Sequence, residues 1–272
     1  MNDSEVKAQA VAAAVLKKSK YCTIQPALVL RLAARELEHR RSDKEAIKEV
    51  SAKLHQIGAA YFKLSPQYVR WREELRDLPN DPQHELTRAF CLKVMRAHSS
   101  TAERLPILAD MYREVLAPLG PLESILDLAC GLNPLALAWM PLAPGAQYYG
   151  CDIFSDLIDF NNAFLAYCGL RARLVCADLF EWYPLPQVRL ALLLKSLPCL
   201  EQLEKGRGLG LLQAIPAEYI LVSYPIRSLG GRARGMRQTY AAQFAALAEG
   251  QDWQVTHFEF ASELAYLIRK SI

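Results

Sequence analysis

Ile125-Leu126-Asp127-Leu128-Ala129-Cys130-Gly131-Leu132-Asn133-Pro134 runs from an apolar strand into a carboxylate, a glycine turn and a proline-started helix. In an open parallel sheet, ligands bind outside the carboxyl ends of the strands. There a glycine lets the backbone approach the ligand, and the next helix points free N–H groups at it. Pro134 suits the first turn of that helix, where its missing N–H goes unused. The decapeptide reads as a nucleotide-cofactor turn. One glycine alone also fits an ordinary strand-turn-helix crossover, so its surroundings decide.

Downstream of Gly120-Pro121, short apolar runs alternate with helical stretches, the pattern of parallel-sheet units. Strands are predicted at 124–128, 147–151, 173–176, 189–194, 218–223, 254–260 and 263–269, and helices near 134–141, 155–168, 199–213 and 236–248. The last two strands are so close that only an antiparallel pair can join them. Upstream, to about residue 117, the pattern is helical. Ser42 and Glu45 form a capping box ahead of Ile47, Val50, Leu54, Ile57 and Tyr61 at helical spacing. Pro66 is predicted to start a helix carrying Tyr68, Val69, Trp71 and Leu75. Pro79-Asn80-Asp81-Pro82 then breaks the chain before a further helix to about Ala97. The predicted fold is α/β: a Rossmann-like, seven-stranded sheet with an all-helical N-terminal extension.

Among the 272 residues, 52% are apolar, which suits a folded chain with a sizeable core. The start, Met1-Asn2-Asp3-Ser4-Glu5, lacks a signal-peptide pattern, and no apolar run is long enough to span a membrane. A cytoplasmic protein without membrane contact is predicted. The seven cysteines include no C-x-x-C pair, so neither a disulfide framework nor a metal site is expected. Charge divides unevenly. Residues 1–105 hold 19 of the 32 Lys and Arg and 13 of the 29 Asp and Glu, a net of +6, against −3 for the remainder. A basic N-terminal region beside an acidic partner suits contact with a polyanion.

Asp127, Asp152 and Asp178 fall at the ends of three successive predicted strands, which would set them along one edge of the sheet. Asp152, about 20 residues past the glycine turn, suits the two hydroxyls of a ribose, since a carboxylate accepts both hydrogen bonds. Asp178 suits an adenine amino group. Each aspartate alone reads equally as a helix cap or turn former.

Three motifs in order carry a resemblance: His98-Ser-Ser-Thr-Ala-Glu-Arg-Leu105, Asp127 to Pro134, and Ser223-Tyr-Pro-Ile-Arg-Ser-Leu-Gly-Gly-Arg232. With Lys20-Tyr-Cys-Thr23, Lys53-Leu-His-Gln56 and Gly235-Met236, the chain resembles the aminoglycoside-resistance 16S rRNA methyltransferases of the Arm/Rmt group over nearly its whole length. These methylate N7 of a guanine in the ribosomal decoding site with S-adenosylmethionine. The single Gly131 in the cofactor loop is a departure that this group shares.

The resemblance implies an S-adenosylmethionine site in which Arg104 holds the methionine carboxylate through its planar fork and Gly131 lets the backbone approach the cofactor. Ala129, Asn133, Ile153 and Leu179 join it as cofactor neighbours, with Asp152 on ribose and Asp178 on adenine. His98 is a ligand or base, or a helix-terminal histidine satisfied locally. Ser99, Ser100 and Thr101 cap the helix that bears Arg104. Lys195 and Ser196, after the fourth strand, face the methyl end and position the base or a phosphate; Lys195 also counts among the cofactor contacts. Guanine N7 has a free in-plane lone pair, so no general base is assigned. For rRNA, the implied contacts are Lys17, Lys18, Lys20, Arg70, Arg72, Arg227, Arg232, Arg234, Met236 and Arg237. Residues 1–105 are then the docking region and 106–272 the cofactor domain of a monomer acting on the 30S subunit. Methylation of the neighbouring adenine at N1, a small-molecule methyltransferase and a non-catalytic ribosome-binding factor are the competing readings.

Overall fold

In the computed structural model, residues 3–39, 42–62, 66–181, 184–226 and 235–270 are described. Seven strands form one sheet: β1 (Leu122–Leu128), β2 (Leu142–Asp152), β3 (Arg171–Cys176), β4 (Val188–Leu194), β5 (Ala217–Pro225), β6 (Trp253–Glu259) and β7 (Glu263–Lys270). Their order is β3-β2-β1-β4-β5-β7-β6, parallel except for β7, which runs antiparallel to both β5 and β6. The chain leaves β1 toward β2 on one side and returns to β4 on the other. A crevice opens between them at the carboxyl ends, where such sheets hold ligands. Central strands β1 and β4 are buried on both faces, which is why they read as unbroken apolar runs. Asp127 pairs with Gly150 across β1 and β2, and a Cβ on Gly150 would stand 2.8 Å from the Asp127 carbonyl. Glycine is needed there for the strands to pair.

Helices α8 (Ser155–Tyr167), α9 (Leu197–Leu203), α10 (Gly208–Ala214) and α11 (Met236–Ala248) follow β2, β4 and β5. The helix expected at 199–213 is thus two, broken at Gly206, whose φ of 82° an ordinary residue resists. The helix expected at 134–141 is a tighter 3-10 run, Asn133–Trp139. Its first turn closes by i→i−3 bonds, Asn133 N–H to the Cys130 carbonyl and Leu135 N–H to that of Leu132. These N–H groups are consumed within the turn rather than aimed at a ligand.

The N-terminal region holds α1 (Asp3–Leu16), α2 (Pro26–His39), α3 (Asp43–Ile57), α4 (Tyr68–Arg76), α5 (Glu85–Met95), α6 (Ser99–Arg104) and α7 (Leu108–Leu116). Ser42 caps α3 by accepting from the Glu45 N–H at 3.3 Å, and Val50 and Leu54 face inward. Helix α4 begins at Tyr68, past Pro66, and its Tyr68 and Trp71 pack on Phe160 of α8 as core anchors. Thr23 to Gln25 are stitched to the turn after β2: Gln25 N–H donates to the Ile153 carbonyl and Ser155 N–H to that of Thr23, both at 2.8 Å. One apolar core runs from Val11 and Leu32 through Leu126 to Ile268. At roughly 1.5–3 kcal/mol for each fully buried large side chain, separating the helices from the sheet would be costly. Among the described residues no helix is long and apolar enough to cross a membrane.

Candidate active site

The carboxyl ends of β1 to β4 open into a partly enclosed cavity, at the edge where sheets of this topology hold ligands. His98, Ala129, Gly131, Asp152, Ile153, Asp178, Leu179, Lys195 and Ser196 are in its wall. Backbone strain marks the site: Ala129 and Lys195, neither of them glycine, hold φ of 52° and 59°, and Gly131 holds 51°. A Cβ on Gly131 would lie 3.2 Å from the His98 ring, so glycine lets ring and turn meet. The N-terminal region closes the far side with Leu28, Ile57, Tyr61 and Phe62, and α9 adds Cys199, Leu200 and Leu203. None of these carries a sequence signature of ligand contact, because helical apolar spacing looks the same in a core and over a pocket.

Asp152 accepts the Gly131 N–H on Oδ2 at 2.9 Å and its neighbour Ile153 N–H on Oδ1 at 2.7 Å. Burial raises its pKa, against those bonds. Asp178 is 5% exposed; Oδ1 accepts the Phe180 N–H at 3.1 Å, and Oδ2 accepts from Arg31 of α2 at 2.7 Å. Each carboxylate retains acceptor capacity toward the cavity. His98 stacks on Tyr61 at 5.4 Å, and its Nδ1 has no hydrogen-bond partner. Burial first, then Arg104 and Lys195, push its pKa down to about 3, so the ring is neutral near pH 7. Ser196 Oγ is likewise buried without a partner. Two orphaned polar atoms and two acids around one cavity fit a polar ligand. Thr101 does not cap α6: its hydroxyl donates to the Met95 carbonyl at 2.6 Å, tying α6 to the end of α5.

Arg104 and Asn133 are placed differently from the expectation of direct cofactor contact. Arg104 is 1% exposed and sits beneath the cavity. Its Nε and Nη2 donate to Glu263 at 2.7 and 3.1 Å, and its Nη1 donates to Asn133 Oδ1 at 3.1 Å. Asn133 also accepts from Tyr112 at 2.6 Å and donates to Asp127 Oδ2 at 2.9 Å, which Tyr148 reaches at 2.7 Å. Asp127 is thus below the cavity edge, and burial pushes its pKa up to about 7 despite the two donors. Lys195 turns its ammonium into the same cluster, toward the Ser100 carbonyl at 3.1 Å, Glu103 at 3.0 Å and Glu263 at 3.3 Å. Burial would raise Glu263, yet Arg104, Lys195 and the Ser223 hydroxyl at 2.7 Å together hold it below the usual range. Glu263 is the residue that sequence reading missed. An acid heading an otherwise apolar strand was its only signal.

Among the expected rRNA contacts, Lys17, Lys18 and Lys20 are exposed after α1, with Lys18 donating to Ser51 Oγ at 2.7 Å. Lys20 lines a second groove that meets the cavity at Phe62 and Phe154. Arg70 is exposed and pairs with Glu74 at 3.0 Å, while the half-buried Arg72 has an unpartnered Nε. Met236 opens α11, and Arg237 pairs with Glu259 at 2.5 Å. Arg227, Arg232 and Arg234 lie outside the described residues.

Residues 17–267 match the family model described as ribosomal RNA methyltransferase (FmrO). A 16S rRNA (guanine(1405)-N(7))-methyltransferase of Micromonospora echinospora is 36% identical over 259 residues, 94% of each chain. Another of that name, from Serratia marcescens, is 31% identical over 94% of this chain and 96% of its own. Among solved structures, the 16S rRNA methyltransferase RmtF in complex with S-adenosyl-L-homocysteine superposes with a TM-score of 0.81 at 30% identity, covering 100% of both chains. The 16S rRNA methylase RmtB gives 0.81 at 26%, covering 97% of this chain and 98% of its own.

Proposed function

The chain belongs to the FmrO family of ribosomal RNA methyltransferases, and from that premise we propose that it methylates N7 of guanine 1405 in 16S rRNA. The methyl donor is S-adenosylmethionine, the substrate is the assembled 30S subunit, and the consequence is aminoglycoside resistance in the cytoplasm of the host cell. The observation that carries this reading is the convergence of Asp152, Asp178, Gly131 and the unpartnered His98 and Ser196 on one cavity at the carboxyl ends of β1 to β4.

Asp152 would hold the ribose hydroxyls and Asp178 the adenine amino group, with Ala129, Gly131, Ile153 and Leu179 around them. S-adenosylmethionine supplies an electrophilic methyl on a positively charged sulfur. Guanine N7 brings its own lone pair and loses no proton, so the chain has to align rather than deprotonate. The side chains at that end agree. His98 has its pKa lowered to about 3, and the Lys195 ammonium is engaged by Glu103 and Glu263. Neither is placed as a base for substrate. Lys195 instead anchors the strained turn that carries Ser196, whose free hydroxyl is available to orient the base. Arg104 supports the cavity from below through Asn133 and Glu263.

The target guanine is stacked inside folded rRNA, so it must swing out to reach the cavity. Residues 1–105, net +6, supply the docking surface through Lys17, Lys18, Lys20, Arg70 and Arg72. The groove beside Lys20 leads to the cavity mouth at Phe62. Met236, Arg237 and the Arg227, Arg232 and Arg234 segment add contacts from the cofactor domain, residues 106–272, and a monomer suffices. The test is to incubate 30S subunits with the purified protein and labelled S-adenosylmethionine, then cleave the rRNA chemically at N7-methylguanine. Scission at guanine 1405 is expected; a methyl on the neighbouring adenine N1, or none, overturns the reading.

A further inference from the structure

Arg31 of α2 reaches across 147 residues of chain to Asp178, donating from Nε to Oδ2 at 2.7 Å. Nη2 lies 2.7 Å from the same oxygen, while Nη1 pairs with the Glu204 carboxylate. One turn further along α2, Arg35 Nη1 donates to the Leu203 carbonyl at 2.9 Å. Arg31 and Arg207 both stand over the Phe180 ring, at 5.7 and 4.9 Å, and Arg207 also pairs with Glu204. A single guanidinium thus joins the turn after β3 to the end of α9. Both segments wall the cavity, through Asp178, Leu179 and Leu203.

The consequence falls on Asp178. Arg31 takes Oδ2 from one side, and the Phe180 N–H takes one lone pair of Oδ1. The carboxylate cannot turn without breaking a charge-assisted bond, so its remaining capacity points in a fixed direction. A fixed acceptor attracts a donor and repels another acceptor. That is the basis on which a polar site rejects an analogue lacking its hydrogen. Resting on the reading that S-adenosylmethionine occupies this cavity, we propose that Arg31 is a positioning residue: it orients Asp178 so that the pocket selects the adenine amino group over a carbonyl at the same position. The docking region thereby takes part in cofactor selection.

Calorimetric titration with S-adenosylhomocysteine and its deaminated analogue S-inosylhomocysteine tests this. The unaltered protein is expected to favour the amino form by about tenfold or more, the worth of one hydrogen bond to a charged acceptor. Arg31→Met, which keeps the apolar stem, should bring that preference close to unity by weakening mainly the amino ligand. Arg31→Lys should recover part of it, since one ammonium meets Oδ2 without also reaching Glu204. Adding Asp178→Asn to Arg31→Met should remove nothing further. The preference is a ratio measured on one folded preparation, so a general loss of stability leaves it unchanged. Arg31→Met with the full preference, or with both ligands weakened alike, overturns the proposal. If the unaltered protein binds neither ligand, the cofactor reading fails; if it binds both equally, the assignment of Asp178 to adenine fails and this proposal with it.

Discussion

Beneath the cavity, Arg104, Glu263, Asp127, Asn133 and Tyr148 bond to one another, and Lys195 reaches down from the wall to join them. In its wall, His98 Nδ1 and Ser196 Oγ have no protein partner, and Asp152 and Asp178 keep acceptor capacity to spare. Both sets are buried or nearly so, and both contain charges. They differ in where their hydrogen bonds end. Groups that close their bonds among themselves hold β1, β4, β5 and β7 in register under the site, whereas groups left open can be completed only by something that enters it.

That contrast predicts different losses from similar substitutions. The largest is expected from Glu263→Ala, which would leave the buried Arg104 without its carboxylate partner and Lys195 with Glu103 alone. A buried pair broken on one side costs about 3–5 kcal/mol. Denaturant melts would measure it, and a loss under about 1 kcal/mol, the range of an exposed ion pair, would show that the lower cluster does not hold the sheet. Asp152→Ala should do the opposite: S-adenosylhomocysteine affinity falls roughly ten- to hundredfold in a titration while the stability loss stays below that of Glu263→Ala. Equal effects on stability would remove the distinction between floor and wall.

Asp127 is expected to show its effect as a pH dependence of stability. Burial raises its pKa from 3.8 to about 7, so the folded chain binds that proton more tightly than the unfolded one. Its contribution is fully present below 3.8 and is lost as the pH rises through about 7, at no more than about 1.4 kcal/mol per unit. His98 runs the other way, lowered from 6.5 to about 3: its contribution is present above 6.5 and lost as the pH falls toward 3. Melts across this range should show Asp127→Asn gaining on the unaltered protein as the pH rises to neutrality. Parallel curves would place the Asp127 pKa in the ordinary range.

The seven strands, the closing antiparallel pair and the cavity at the ends of β1 to β3 were legible in the sequence. Apolar runs, strand-end acids and the Gly131 turn are local signals, and short-range sterics and periodicity produce them. The fate of individual polar groups was less legible. Arg104 meets Glu263 only because β7 pairs antiparallel with β5, bringing residues 159 apart together. Arg31 looks like any charged residue on an amphipathic helix until the fold brings it to Asp178, just past β3.

The turn from Ile125 to Pro134, read with the strand-end acids Asp152 and Asp178, was enough to indicate a parallel sheet with a ligand at its carboxyl edge. Which of the surrounding charges face that ligand and which face one another was decided by tertiary packing. A carboxylate or guanidinium is completed by whichever partner burial brings within about 3 Å, and that partner came from another strand or another helix.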